Sequence, residues 1–265
     1  MRKDAVKLED GRLEGLDTKT YPWIYERHRI FPGIFEPGRY KQVLDIAAGM
    51  GIVAKRIQEG YPCRMVCNDI SENALKNLKA AGLETISFDL DDPAVAFPFP
   101  DKTFDAVISL ATLEHILHLD EHMNEIRRIL KDDGHLFIST PNYTGIHFVI
   151  PFLLNGRTFH NPMNGGLDKY EFYAHVRYFT YVSLVEFVSS FGFKADKVYL
   201  PLPEGSARYR SLRTRSRVRA FAFRSAMYLL YRLLPPRWAF HPVLRFSKAS
   251  IADAKKTHKP KKVIL

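Results

Sequence analysis

The stretch Val43-Leu44-Asp45-Ile46-Ala47-Ala48-Gly49-Met50-Gly51 is an apolar run that ends in a tight turn of small residues. A strand that feeds a helix in this way leaves backbone carbonyl and N–H groups free at the junction, and only small side chains let a cofactor approach them. The same turn also serves as an ordinary link between strand and helix. Spacing separates the two readings. Asp69 closes the next apolar run about twenty residues beyond Gly49, where an acidic side chain can accept both hydroxyls of an adenosine ribose. Asp89 closes the run after that. Three strand ends thus place polar groups along one sheet edge.

Outward from this segment, residues 42–46, 64–68, 85–88, 104–109 and 135–140 read as strands, short and nearly continuous in apolar character, as buried parallel strands are. Helices are expected at 52–59, at 72–81 behind the N-cap Ser71 and before Gly82, and at 121–130, where Met123, Ile126, Ile129 and Leu130 share a face. The alternation predicts an α/β domain with a mostly parallel sheet and helices on both faces. Residues 141–179 break the rhythm with Pro141, Pro151, Gly156, Pro162, Gly165 and Gly166, and read as a lid or binding loop. Thr180 caps a helix that ends before Gly192, and residues 193–200 form another strand. Tyr21, Trp23, Tyr25, His28 and Arg29 read as a helix ahead of the first strand.

Charge divides the chain in two. Residues 205–265 hold ten Arg and six Lys against the single acid Asp253, about +15, while residues 1–204 carry 23 basic and 28 acidic residues, about −5. The expected organisation is a domain over 1–204 followed by a basic segment over 205–265, with a last strand returning near 243–248. Two cysteines, Cys63 and Cys67, make no disulfide framework, so a reducing, cytoplasmic setting is expected. The charged start of the chain shows no apolar signal core.

Together, residues 43–51, Asn68-Asp69-Ile70-Ser71, Asp89, residues 97–107, Glu114-His115, residues 125–134 and Ile138-Ser139-Thr140-Pro141-Asn142 resemble the class I S-adenosylmethionine-dependent methyltransferases. The resemblance covers roughly residues 20–200 and implies a Rossmann-like, seven-stranded sheet. It also implies roles around S-adenosylmethionine. Asp45 would act near the methionine end, and Ala47, Gly49 and Gly51 would bring backbone close. Asp69 would hold the ribose, Ile70, Asp89 and Leu90 would face the adenine, and Leu110 would offer its carbonyl to the methionine ammonium. Ala47 stands where the family usually has glycine, which is tolerable at negative φ. A dinucleotide dehydrogenase is the rival, but its third glycine is missing at Ile52 or Ala54.

Methyl transfer needs alignment and a dry pocket more than it needs catalytic groups. The Ser109-Leu110-Ala111-Thr112 segment lacks the Asn/Asp-Pro-Pro-aromatic motif of family members that methylate exocyclic amines, and no cysteine nucleophile sits there. A hydroxyl acceptor follows by elimination. His115 is the leading general base, unless Glu114-His115 merely caps its helix. His115, His118 and His122 can share a helical face, which a solvated surface explains more simply than a metal. The resembling ubiquinone-pathway O-methyltransferases include some with a Glu-x-x-Glu-His metal motif, whose first Glu is Ala111 here, so no metal is expected. The lid adds His147, His160, Tyr173 and His175. The string His175-x-Arg177-x-Phe179-Thr180 is similar to one found in glycan- and lipid-associated members, and these side chains either contact the acceptor or pack on the next helix.

The basic segment is rich in Arg from Arg208 to Arg224 and then in Phe, Leu and Tyr up to Pro235-Pro236. It falls short of the roughly 20 apolar residues that span a bilayer. An interfacial anchor on an anionic membrane surface through 208–240 is the favoured reading, with the lysines of the tail adding attraction to lipid. RNA binding or packing on the protein itself compete with it. The sequence therefore predicts methylation of a hydroxyl on a lipid-linked, glycan-like or quinone-like acceptor at the cytoplasmic membrane face. The alternatives are an RNA methyltransferase and an inactive membrane-tethered scaffold.

Overall fold

The structure is a computed structural model. It describes residues 3–17, 21, 24–157, 159–161, 163–164, 167–255 and 259–265. Trp23, Pro162, Gly165 and Gly166 lie outside the described residues.

One sheet organises the chain. Its strands are β1 (Gln42–Ile46), β2 (Arg64–Asn68), β3 (Glu84–Ile86), β4 (Phe104–Leu110), β5 (Leu130–Ser139), β6 (Phe193–Leu200), β7 (Val243–Lys248) and β8 (Lys261–Ile264). They lie in the order β3-β2-β1-β4-β5-β7-β6-β8. Among the described strands, β7 alone runs antiparallel to its neighbours, β5 and β6. The sheet has eight strands rather than the expected seven, because residues 261–264 add an edge strand parallel to β6. Lys261 and Lys262 of the tail are therefore part of the sheet edge. Lys262 Nζ donates to the carbonyls of Tyr231, Arg232 and Leu234 at 2.7, 2.9 and 3.3 Å.

The helices are α1 (Lys3–Leu13), α2 (Glu26–Arg29), α3 (Ile52–Gly60), α4 (Glu72–Ala80), α5 (Leu119–Ile129), α6 (Ile146–Asn155), α7 (Leu167–Ala174), α8 (Tyr181–Ser190), α9 (Ala207–Arg215), α10 (Arg217–Leu233) and α11 (Ile251–Lys255). Strand side chains alternate between two cores. Leu44 and Ile46 meet Met123, Ile126, Leu184 and Val188 on one face, while Val43 meets Val53, Ile57, Phe31 and Tyr40 on the other. Helix α2 is only four residues long, and of the stretch expected to be helical the described residues Tyr21, Ile24 and Tyr25 stand outside it. Helix α4 begins as expected, with Ser71 Oγ accepting the Ala74 N–H at 3.2 Å. Helix α8 begins on a Thr180–Ser183 capping box.

The basic segment is woven into the domain. Helix α10 buries Ala220 and Tyr231, and β7 forms a fully buried stripe of Val243, Leu244 and Phe246 between β5 and β6. Val218, Phe221, Tyr228, Leu229 and Leu233 remain exposed on α10. No helix among the described residues is long and apolar enough to cross a membrane.

Candidate active site

The carboxyl ends of β1, β2 and β4 open into one cavity of about 500 Å³. It is roofed by the segments around α1, α2, α6 and α7. Its walls include Asp45, Ala47, Gly49, Asp69, Ile70, Asp89, Leu90, Leu110, His115 and His175. The volume is in the range of small-molecule and cofactor sites. Gly51 stands behind this wall. Its φ is +71°, and a Cβ there would come within 2.8 Å of Leu78, so glycine serves helix–sheet packing at this position.

The turn between β1 and α3 is tied to β2. Asp69 Oδ2 accepts the Gly49 N–H at 2.8 Å and Oδ1 accepts the Ser71 N–H at 2.9 Å. Burial nevertheless pushes the Asp69 carboxyl up to about 6, against those hydrogen bonds. Asp45 is pushed up to about 8, by burial first and by the Asp69 charge second. Both acids line the cavity, where burial favours their protonated forms. Gly49 has φ +55° and open space where a Cβ would stand. Ala47 corrects an expectation. Its φ is +53°, in the left-handed region, not negative. The turn imposes that geometry, and alanine accepts the strain that glycine would avoid.

The far end of the cavity is built of histidines. A 3-10 turn, Leu113–His115, follows β4, and its Glu114 carbonyl accepts the N–H groups of Val176 and Arg177 at 2.8 and 3.1 Å. Those two bonds bring His175 to His115, with ring centroids 4.8 Å apart. His115 Nδ1 lies 3.1 Å from the Ala174 carbonyl, which accepts only from an N–H, so Nε2 carries the lone pair. His175 is set by a longer chain. His160 Nδ1 lies 3.1 Å from the Glu171 carboxylate and so carries the proton. His160 Nε2 then accepts from the Tyr143 hydroxyl at 3.0 Å, and that hydroxyl accepts from His175 Nδ1 at 2.8 Å. The lone pair of His175 falls on Nε2. Burial, with His115, His160 and Arg27 nearby, lowers His175 to about 2, so the ring is neutral. Burial raises the Tyr143 phenol, which stays protonated.

Glu114 is fully buried, and neither carboxyl oxygen has a hydrogen-bond partner. Burial pushes it up to about 8. Donor atoms of Glu114, His115 and His175 lie within 4.8 Å of one another, a grouping that can hold a cation.

Several other sequence candidates fall outside this group. His122 is buried, with Nδ1 3.2 Å from the Leu90 carbonyl, and His118 pairs with Asp91, so the expected solvated histidine face does not form. Arg177 donates to the Leu117 carbonyl at 3.1 Å and braces the turn. Tyr173 is exposed. Sequence reading missed Arg27, Tyr143, Glu171 and His241. Tyr143 directly follows the Pro141-Asn142 pair, but nothing in the local pattern distinguishes it from a packed aromatic.

Residues 44–138 match a methyltransferase domain family. The chain is 31% identical over 134 residues to the mitochondrial arginine-hydroxylase NDUFAF5 of Rattus norvegicus, covering 51% of this chain and 34% of that protein. It is 34% identical over 109 residues to the demethylmenaquinone methyltransferase of Bacteroides fragilis, covering 39% and 44%. The matches thus span less than half the length of these curated relatives. Among solved structures, a phosphoethanolamine N-methyltransferase of Haemonchus contortus in complex with S-adenosyl-L-methionine superposes with a TM-score of 0.56 at 16% identity, covering 92% of this chain and 57% of that one. A methyltransferase of Thermotoga maritima gives 0.56 at 14% identity, covering 84% and 88%. At these identities the likeness is one of fold.

Proposed function

We propose that this chain, which carries a class I S-adenosylmethionine-dependent methyltransferase domain, transfers the methyl group to a hydroxyl oxygen of an acceptor held at the histidine end of the cavity. One observation carries this reading. A single cavity joins the acids at the strand ends, Asp45, Asp69 and Asp89, to the buried wall of Glu114, His115 and His175.

S-adenosylmethionine supplies a methyl group already activated on a sulfonium. The chain's residues do the rest. Asp69 is placed to accept ribose hydroxyls once it exchanges its bond to Gly49, and Ile70 and Leu90 offer apolar surface to the adenine. Asp45 and the Leu110 carbonyl face the methionine end. The aromatic lid of Phe148, Phe159 and Tyr170 excludes water. As the acceptor oxygen gains the methyl group, its proton passes to His175 Nε2 while His175 Nδ1 gives up its own to Tyr143 and Tyr143 passes its proton toward His160 and Glu171, so the ring stays neutral throughout.

The membrane surface is the second half of the proposal. Exposed Val218, Phe221, Leu229 and Leu233 share α10 with Arg217, Arg219, Arg224 and Arg232, a combination suited to an anionic interface. Helix α6 adds exposed Ile150, Phe152, Leu153 and Leu154 while its His147 and Phe148 line the cavity. An acceptor with a lipid tail would reach the site along such a lid, and the protein would work on the cytoplasmic face as a peripheral enzyme. RNA is the competing partner for the Arg-rich helices.

Turnover of S-adenosylmethionine with quinol, glycan-lipid and RNA acceptors tests the chemistry, and a chain that binds cofactor but methylates nothing is a scaffold. Co-sedimentation with anionic liposomes at low and high salt tests the surface. Binding that persists at high salt supports an apolar anchor, and RNA binding without liposome binding rejects it.

A further inference from the structure

Arg27 is 7% exposed, lines the cavity and makes no ion pair among the described residues. Its guanidinium lies over the Tyr25 ring, 4.6 Å from the centroid, and its Nε has no hydrogen-bond partner. Glu114, whose carboxyl senses the Arg27 charge, makes neither a hydrogen bond nor an ion pair with it. A buried guanidinium without a counter-charge is costly and calls for an anion.

Three histidines share this wall: His28, His147 and His241. Two of their tautomers follow from their neighbours. His28 Nδ1 accepts the Tyr25 N–H at 3.1 Å, so its proton sits on Nε2. His241 Nδ1 faces Arg27 Nη1 at 3.5 Å, and because a guanidinium only donates, the His241 proton also sits on Nε2. Neither Nε2–H finds an acceptor among the described residues. His147 is packed 5.8 Å from His241 between ring centroids, and both of its nitrogens are buried without a partner. Apart from the long Arg27–His241 contact, the N–H donors of this wall find no acceptor among the described residues. A carboxylate offers two oxygens to such a wall. A phosphate offers more, in more directions, and matches a guanidinium with several surrounding imidazoles better.

We propose that Arg27, His28, His147 and His241 form a phosphate subsite of the acceptor pocket, so that the methyl acceptor carries a phosphate group close to the hydroxyl that is methylated. This rests on the reading of the cavity as a methyltransferase site. The rival source of an oxyanion is the carboxylate of the cofactor's own methionine end.

The test is calorimetry on the full chain. Inorganic phosphate is titrated into protein saturated with S-adenosylhomocysteine, for the wild type, Arg27→Gln and His147→Phe. The expected result is saturable phosphate binding that weakens at least about tenfold in Arg27→Gln and severalfold in His147→Phe, with S-adenosylhomocysteine affinity changed by less than about threefold. Retained S-adenosylhomocysteine binding also shows that the variants fold. Hexyl phosphate that binds more tightly than inorganic phosphate supports a lipid phosphate, and equal binding supports a soluble one. The absence of saturable phosphate binding in the cofactor-loaded wild type overturns the subsite. So does an Arg27→Gln variant that loses S-adenosylhomocysteine but keeps 5′-methylthioadenosine, which lacks the amino-acid end, because the site then serves the cofactor. A wild type that binds no S-adenosylhomocysteine overturns the methyltransferase reading itself, a failure distinct from the other two.

Discussion

The Asp69 carboxylate holds the backbone N–H of Gly49 at 2.8 Å, across twenty residues of sequence. This bond locks the turn after β1 to the end of β2 and aims both at the cavity. Asp69→Ala removes the acceptor of the Gly49 N–H and, on the proposed reading of the site, the acceptor of the ribose hydroxyls. The stabilisation conferred by S-adenosylhomocysteine in a thermal melt is expected to fall sharply, equivalent to an affinity loss of about ten- to a hundredfold. An unchanged melting shift would place the ribose elsewhere.

Asp45 couples the same site to pH. Its folded-state carboxyl lies at about 8, above its unfolded value, because it is buried beside Asp69. The folded state thus binds this proton more tightly, and the stability it contributes is complete below the unfolded carboxylate range and lost as pH rises through about 8. Glu114, also near 8, acts in the same direction. The ligand-free protein is expected to melt at lower temperature at pH 8 than at pH 5, and Asp45→Asn should flatten part of that slope while weakening cofactor binding. A slope unaltered in Asp45→Asn would show that Asp45 ionises freely.

Ala47 carries strain that can be removed. With φ at +53°, it sits where a Cβ costs about 1 kcal/mol relative to glycine. Ala47→Gly is expected to raise the melting temperature by roughly 2–4 °C, with cofactor affinity equal to or better than wild type. A lower melting temperature would mean that the methyl group packs favourably enough to outweigh the strain.

The relay behind His175 separates positioning from binding. Tyr143→Phe removes the hydroxyl that bonds to both His175 and His160, while both rings keep their packing neighbours. Once an acceptor is in hand, kcat is expected to fall about ten- to a hundredfold with KM and cofactor affinity nearly unchanged, and the pH profile should shift. Equal losses in kcat and affinity would assign Tyr143 to packing alone.

What the sequence revealed depended on how local the cause was. The β1 turn, Asp69 and the caps at Ser71 and Thr180 are set by neighbours in sequence, and they stand where the pattern put them. The eighth strand was hidden because Lys261-Lys262-Val263-Ile264 reads as a solvated basic tail, and only the edge of β6 makes it a strand. The left-handed Ala47 was equally hidden, since alanine gives no hint that the turn demands positive φ. His115 and His175 were legible as candidates, but Tyr143, Glu171, Arg27 and His241 come together only through the fold. Their spacing along the chain carries no period that could announce it.

The edge strand carries its own prediction. Lys262 Nζ caps three carbonyls at the end of α10. Lys262→Met leaves them to water and is expected to cost about 1–3 kcal/mol, seen as a melting temperature several degrees lower. An unchanged melt would show that β8 contributes little to the hold on α10.

The most direct test of the central claim is isothermal titration calorimetry of S-adenosylhomocysteine into the full chain at neutral pH. The account predicts one-to-one, saturable binding with a Kd near the micromolar range. No saturable heat up to about 1 mM ligand would contradict the claim that this cavity is a cofactor site.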